Sequence, residues 1–291
     1  MRQRFLKKHD ASAPHSEPIN QHQSQDSTNT PEFEEIIRHN SQEVTCLDHF
    51  KNTPMCGVTE AFFIVMDILP RPLISCLVPD IPLHFKNMLT NISEDYIKPY
   101  NRENPSHVDL LRRLWKGHHK VMFNDIPFEF VHERWRELGF QSDDPSRDFR
   151  AAGIFALGQL VYLVETYPNH WSRFLASKDF ILSCVAINVS MRIITLLELI
   201  PMFNVYSSKF SQNYTTLSAK ARLCNLIYST NSKVSFCLLA DVFCCYMCVL
   251  EKTWVESGKS LLEFNQVLEK FLKRFDRTIC MSKSIDDLYT L

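Results

Sequence analysis

From residue 106 to the C-terminus, apolar positions recur at helical spacing. Ile154, Leu157, Val161 and Val164 stand at i, i+3, i+7 and i+10, which predicts a buried helical face over about 147–166, stopped by Pro168. Ser106 is placed to cap HVDLLRRLWKG, with Asp109 in its first turn, and PFEFVHERWREL (127–138) opens on Pro127 and ends before Gly139. Further helices are expected at about 169–176, 179–199, 214–229, 233–256 and 260–277, with no competing strand-like alternation. Between 54 and 105, prolines 54, 70, 72, 79, 82, 99 and 105 interrupt an apolar stretch, predicting short helices and extended connections with one better helix near 57–69. PEFEEIIRHN (31–40) can form a short helix behind Pro31. Residues 1–30 hold almost nothing apolar after Leu6, so disorder is expected there. The predicted organisation is a polar tail (1–30), a helical and irregular extension packed on the core (31–105), a main domain (106–280) and a short C-terminal tail (281–291). The fold class is all-α: a multi-helix bundle with an irregular, proline-interrupted N-terminal extension.

Composition narrows the function. With 45% hydrophobic residues over 291 positions the chain can bury a sizeable core, and its net charge of −1 gives no electrostatic case for nucleic acid as a partner. FILSCVAINVSMRIITLLELI (180–200) carries Asn188, Arg192 and Glu198. FCLLADVFCCYMCVL (236–250) carries Asp241 and is too short for a span, so no transmembrane segment is expected. Six of the ten cysteines lie in apolar, helix-like stretches, and no secretory signal precedes them. Reduced thiols in a cytoplasmic protein are the expectation. Cys245-Tyr-Met-Cys248 lacks a second ligand pair for zinc, so it reads as core packing and no metal is expected. Asn91, Asn188 and Asn213 match glycosylation acceptors that a cytosolic chain leaves unmodified. The basic opening MRQRFLKKHD suits peripheral contact with an anionic organelle membrane, although composition favours a solvated tail.

Signatures of independent catalysis are missing: there is no GxxxxGK[ST], GxGxxG, GxSxG or HExxH, and adjacent His118 and His119 point about 100° apart on a helix. No cofactor is expected. One stretch, GFQSDDPSRDFRAAG (139–153), is richer than a connection needs. Arg150 stands at the lead-in to the apolar helix, and a planar, permanently charged guanidinium suits bidentate contact with phosphate oxygens. The plainer reading is that Arg150 pairs with Asp143, Asp144 or Asp148 and pins the turn.

The order Trp135-x3-Gly139-Phe140-Gln141-x2-Asp144-Pro145-x2-Asp148-Phe149-Arg150-x2-Gly153, followed by an Ile/Leu-rich helix, resembles the signature of the ELMO (engulfment and cell motility) domain. LLRRLW, AINVSMRIITLLEL (186–199) and LLEFNQVLEKFLKRF (261–275) resemble other helices of that family, so the likeness covers about 106–278. The short ELMO domain-containing (ELMOD) type is the better match. The resemblance implies a GTPase-activating protein for an Arf-family or Arf-like small GTPase in its GTP-bound form. Arg150 would be the catalytic finger, acting in the partner's active site, and Asp148 would cap the helix and orient it. Trp135, Phe140 and Phe149 would anchor the turn, and Gln141 is either a second polar contact or a helix-end hydrogen bond. The alternative is a non-catalytic adaptor or effector that binds small GTPases or their regulators. Arg147 and Ala151 stand where the family usually has Thr and Gly.

Overall fold

In the computed structural model, the structure describes residues 57–124, 126–199, 213–230 and 236–290, all within one compact unit. The predicted helix at 31–40 and the N-terminal tail lie outside the described residues. The described residues are all-α. Helices α1 (Gly57–Asp67), α2 (Arg71–Leu77) and α3 (Leu83–Tyr96) precede α4 (Pro105–Val121), a short α5 (Arg134–Glu137) and a 3-10 turn (Pro145–Arg150). Then come α6 (Gly153–Thr166), α7 (Pro168–Ala176), α8 (Leu182–Leu197), α9 (Tyr214–Thr230), α10 (Phe236–Ser257) and α11 (Phe264–Met281), with short 3-10 turns at Leu261–Glu263 and Asp286–Thr290.

Helix α6 is the centre. Every side chain from Gly153 to Val164 is buried, which fits an apolar run too continuous for a surface stripe. Helices α4, α7, α8 and α10 pack around it. Close approach is built from glycine: a Cβ on Gly117 of α4 would stand 2.7 Å from Val164, and one on Gly158 of α6 would stand 2.8 Å from the Phe236 ring. That ring stacks on Tyr96 at 4.5 Å and meets Phe155 edge-on at 5.6 Å, tying α3, α6 and α10 together. Several polar side chains in this core find one another. Ser190 donates to Gln159 at 2.6 Å, Tyr162 donates to Asp241 at 2.6 Å, and Arg192 of α8 forms an ion pair with Asp276 of α11.

Three local expectations change. The pattern at 127–138 forms only the single turn Arg134–Glu137, because the preceding segment bends to place its carbonyls over tryptophans: Trp115 donates to Ile126 O at 2.9 Å and Trp135 to Glu129 O at 3.1 Å. The helix expected from 147 starts at Gly153, because the chain first makes the 3-10 turn. The cap of α4 is Asn104, whose side chain accepts the Ser106 N–H at 3.0 Å with Pro105 at the first helical position. Asp109 instead lies 3.9 Å from Arg112 on the exposed face.

Candidate functional site

The segment 135–153 is a closed loop whose inside is aromatic and whose outside is charged. Trp135, Phe140 and Phe149 are all buried, Phe149 completely. Trp135 lies 4.7 Å from Trp115 and 5.7 Å from Phe140, and Phe140 lies 5.6 Å from Phe149, giving one chain of ring contacts from α4 to the turn. This places Phe149 inward and its neighbour Arg150 outward. Pro145, also buried, starts the 3-10 turn where a missing N–H does no harm.

Two glycines fix the ends of the loop. Gly139 has φ +91°, a left-handed conformation that ends α5, and a Cβ there would lie 2.7 Å from Ile181. The neighbouring Leu138 carbonyl accepts the Ser183 N–H at 2.9 Å, joining the loop to the start of α8. Gly153 has φ +59°, and a Cβ there would stand 2.1 Å from the Lys98 carbonyl oxygen. That oxygen accepts the Ile154 N–H at 2.8 Å, so the chain just beyond α3 seats on the first turn of α6.

The acids beside the arginine all have partners elsewhere. Asp143 pairs with Arg136 at 2.7 Å. Asp144 accepts from the Ser146 N–H at 3.1 Å and hydroxyl at 2.6 Å and pairs with Arg102 at 2.8 Å. Burial pushes the Asp144 carboxyl up, but the Ser146 and Arg102 contacts outweigh it and hold it below its ordinary value. Asp148 accepts the Gln141 N–H at 2.9 Å. Asp148 therefore is not a helix cap. Asp144 caps the 3-10 turn, while α6 has no side-chain cap and the Lys98 carbonyl takes the Ile154 amide of its first turn.

Arg150 is exposed, and among the described residues its side chain forms no hydrogen bond or ion pair. Pairing with Asp143, Asp144 or Asp148 is thus not its role. Arg147 and Ala151 are exposed on either side of it, and the Gln141 side chain is exposed too. Lys98, Arg102 and Ser183, which hold the loop from outside, were not singled out by the sequence. Lys98 leaves a faint signal, since it precedes Pro99 and is therefore extended, but its partner Gly153 lies more than fifty residues away. Among the described residues no cluster of three or more His, Cys, Asp or Glu side chains could hold a metal ion, and Cys244, Cys245 and Cys248 are buried in α10. Burial pushes the Cys244 thiol up, away from reactivity.

An all-α domain displaying two exposed arginines, Arg147 and Arg150, from a braced turn is the class of protein that the geometry defines. The ELMO/CED-12 family model matches residues 90–268, more than half of the chain, and the protein belongs to that family. It is similar to human ELMO domain-containing protein 1, with 27% identity over 210 residues, 65% of this chain and 59% of that one. Human ELMO domain-containing protein 2 matches at 27% over 194 residues, 64% of this chain and 58% of that one. ELMO domain-containing protein C of Dictyostelium discoideum matches at 27% over 175 residues, 59% of this chain and 26% of that one. The chain thus spans less than two thirds of the length of these relatives. No solved structure matches it.

Proposed function

We propose that this protein is a GTPase-activating protein for a small GTPase of the Arf or Arf-like family, which supplies Arg150 in trans to the GTP-bound partner. The observation that carries the reading is the exposed Arg150 guanidinium, without a hydrogen bond or ion pair among the described residues, on a turn whose neighbouring acids are all engaged. A free guanidinium need break no ion pair before it enters another protein's nucleotide site. There it would neutralise charge developing on the transferring phosphoryl group, an effect worth about 10³–10⁵ in rate. The ring contacts behind Phe149 and the two constrained glycines hold the backbone of the turn, which limits the entropy lost on docking. The reaction needs no cofactor in this chain, because the GTPase brings the nucleotide and its magnesium.

One observation favours a second reading. Arg147 and Ala151, the two departures from the family pattern, are both exposed beside Arg150 and would face the same partner. An adaptor or effector that binds the GTP form without hastening hydrolysis would tolerate them. Single-turnover GTP hydrolysis by a panel of Arf-family GTPases, with wild-type protein and Arg150→Ala, separates the two. Acceleration lost by about 10³ in the variant is the expected result. Nucleotide-dependent binding with no acceleration by wild type would make the protein an adaptor.

A further inference from the structure

The 3-10 turn carries a second arginine that the proposed finger mechanism does not use. Arg147 precedes Arg150 by three residues, and both are exposed. A 3-10 helix has three residues per turn, so side chains at i and i+3 eclipse, about 6 Å apart along the axis. The burial pattern agrees: Pro145 and Phe149 face the core, while Arg147 and Arg150 face solvent. Phe149 departs from helical geometry with φ −87° and ψ 28°, a kink that still leaves Arg150 exposed. The turn therefore presents two guanidinium groups from one face.

Like charges at such spacing destabilise a helix unless something offsets them. The acids that could do so are committed. Asp143 pairs with Arg136 and Asp144 with Arg102, while Asp148, between the two arginines in sequence, accepts the Gln141 N–H. Neither Arg147 nor Arg150 has a side-chain hydrogen bond or ion pair among the described residues. Lys98, whose carbonyl seats on the first turn of α6, is exposed as well, so cations outnumber acids around the turn. The backbone beneath the pair is stiff. Asp144 caps the turn, Pro145 fixes its first φ, and Phe149 lies 5.6 Å from Phe140 in the buried ring chain. Arg102, which holds Asp144 at 2.8 Å, also lies 5.3 Å from the centroid of the Phe130 ring, so the brace is itself braced.

We infer that Arg147 and Arg150 form a two-arginine clamp for a polyphosphate, each guanidinium taking a different phosphate group of one chain. A guanidinium fork matches two oxygens of one phosphate, so a single phosphate satisfies one arginine and adjoining phosphates satisfy both. The anion also relieves the repulsion between the two cations, and the stiff backbone keeps the ordering cost of binding low. Should the GTPase reading hold, the polyphosphate is the partner's bound nucleotide. Arg150 then meets the transferring group and Arg147 the phosphate beside it, so Arg147 holds the complex together while Arg150 sets the rate. At position 147 the departure from the family pattern then adds a contact instead of removing one. That assignment rests on the GTPase reading; the clamp itself does not.

The test is calorimetric titration of the full chain with inorganic tripolyphosphate, and with inorganic monophosphate for comparison. Wild type is expected to bind tripolyphosphate at one saturable site, and monophosphate at least about tenfold more weakly. Arg147→Ala and Arg150→Ala are each expected to weaken tripolyphosphate binding by about tenfold or more with an unchanged melting temperature. Arg147→Lys, which keeps the charge and loses the fork, is expected to recover only part of the loss. Arg274→Ala, which removes an exposed α11 cation without an ion pair among the described residues, is expected to bind as wild type does. The clamp is overturned if wild type shows no saturable binding, if monophosphate binds as tightly, or if Arg147→Ala keeps full affinity. An equal loss in Arg274→Ala also overturns it, by reducing the attraction to unspecific surface charge. With a GTPase that the protein activates, Arg147→Ala is expected to raise the half-saturating concentration about tenfold at a similar limiting rate. An unchanged half-saturating concentration, with tripolyphosphate binding still weakened, would overturn the assignment to the nucleotide and leave the clamp. If no GTPase is activated, the GTPase reading fails by itself and the titration still decides the clamp.

Discussion

The Asp148 carboxylate accepts the backbone N–H of Gln141 at 2.9 Å, closing the loop that displays Arg150 instead of holding Arg150 itself. Two residues apart in sequence, the acid and the arginine therefore have separable roles. Asp148→Ala is expected to cost about 1–2 kcal/mol, the range for a hydrogen bond to a charged acceptor that is partly solvated. Arg150→Ala, which removes an exposed side chain without a partner among the described residues, is expected to stay within about 0.5 kcal/mol of wild type. Urea unfolding of the two variants checks this. Equal destabilisation by both would mean that Arg150 belongs to the structure of the turn.

Gly153→Ala puts a Cβ 2.1 Å from the Lys98 carbonyl oxygen at φ +59°. Neither partner can yield cheaply, because one is a backbone carbonyl and the other starts the central helix. A loss of at least about 2 kcal/mol is expected from conformational strain and overlap together. The denaturation midpoint reads it directly. Gly258→Ala is a useful contrast, since its φ is also +59° but nothing lies within 4 Å of the added Cβ, so only the conformational part remains.

Acid sensitivity follows from buried histidines. Burial, reinforced by neighbouring His119 and Arg134, pushes His118 from its ordinary 6.5 down to about 4, and its Nδ1 accepts from Trp171 Nε1 at 3.3 Å. Between those two values the unfolded chain binds a proton that the folded protein excludes. Stability is therefore full above about pH 6.5 and falls as pH drops towards 4, by up to about 3 kcal/mol. His107, His119 and His170 are also pushed down by burial and act in the same direction. Urea melts at a series of pH values should show this slope, and His118→Gln should flatten part of it.

The ion pair between Arg192 and Asp276 joins α8 to α11, with both side chains largely buried. Asp276→Ala leaves a buried guanidinium uncompensated and is expected to cost about 3–5 kcal/mol. Replacing both by apolar residues of similar volume, Arg192→Met with Asp276→Leu, should recover most of that loss. A double variant no more stable than the single one would mean that the pair contributes through its geometry.

The helical frame was legible because one property, apolar spacing at 3.6 residues, is local and strong. The face Ile154, Leu157, Val161 and Val164 is buried in α6, and α9 and α10 fall within a few residues of the expected ranges. The segment 127–138 was misread because its helical pattern competes with tryptophan N–H groups that need acceptors, a demand set by Trp115 on another element. In the loop, sequence order marked Gly139, Asp148 and Gly153 through resemblance to a family, but not what each one touches. Asp148 points back to Gln141, and Gly153 makes room for Lys98, contacts that link the loop to itself and to a distant connection. Spacing alone carries no record of such pairings.

The seat of Lys98 on α6 also decides where positive charge is found on this surface. A helix start ordinarily offers its free amides and dipole to an anion. Here the Ile154 amide is turned into the protein and taken by a carbonyl. An anion approaching the turn meets a side chain rather than a ring of backbone dipoles. Unlike a backbone site, that attraction can be weakened by replacing Arg150, or the exposed Arg147 beside it, without touching the fold.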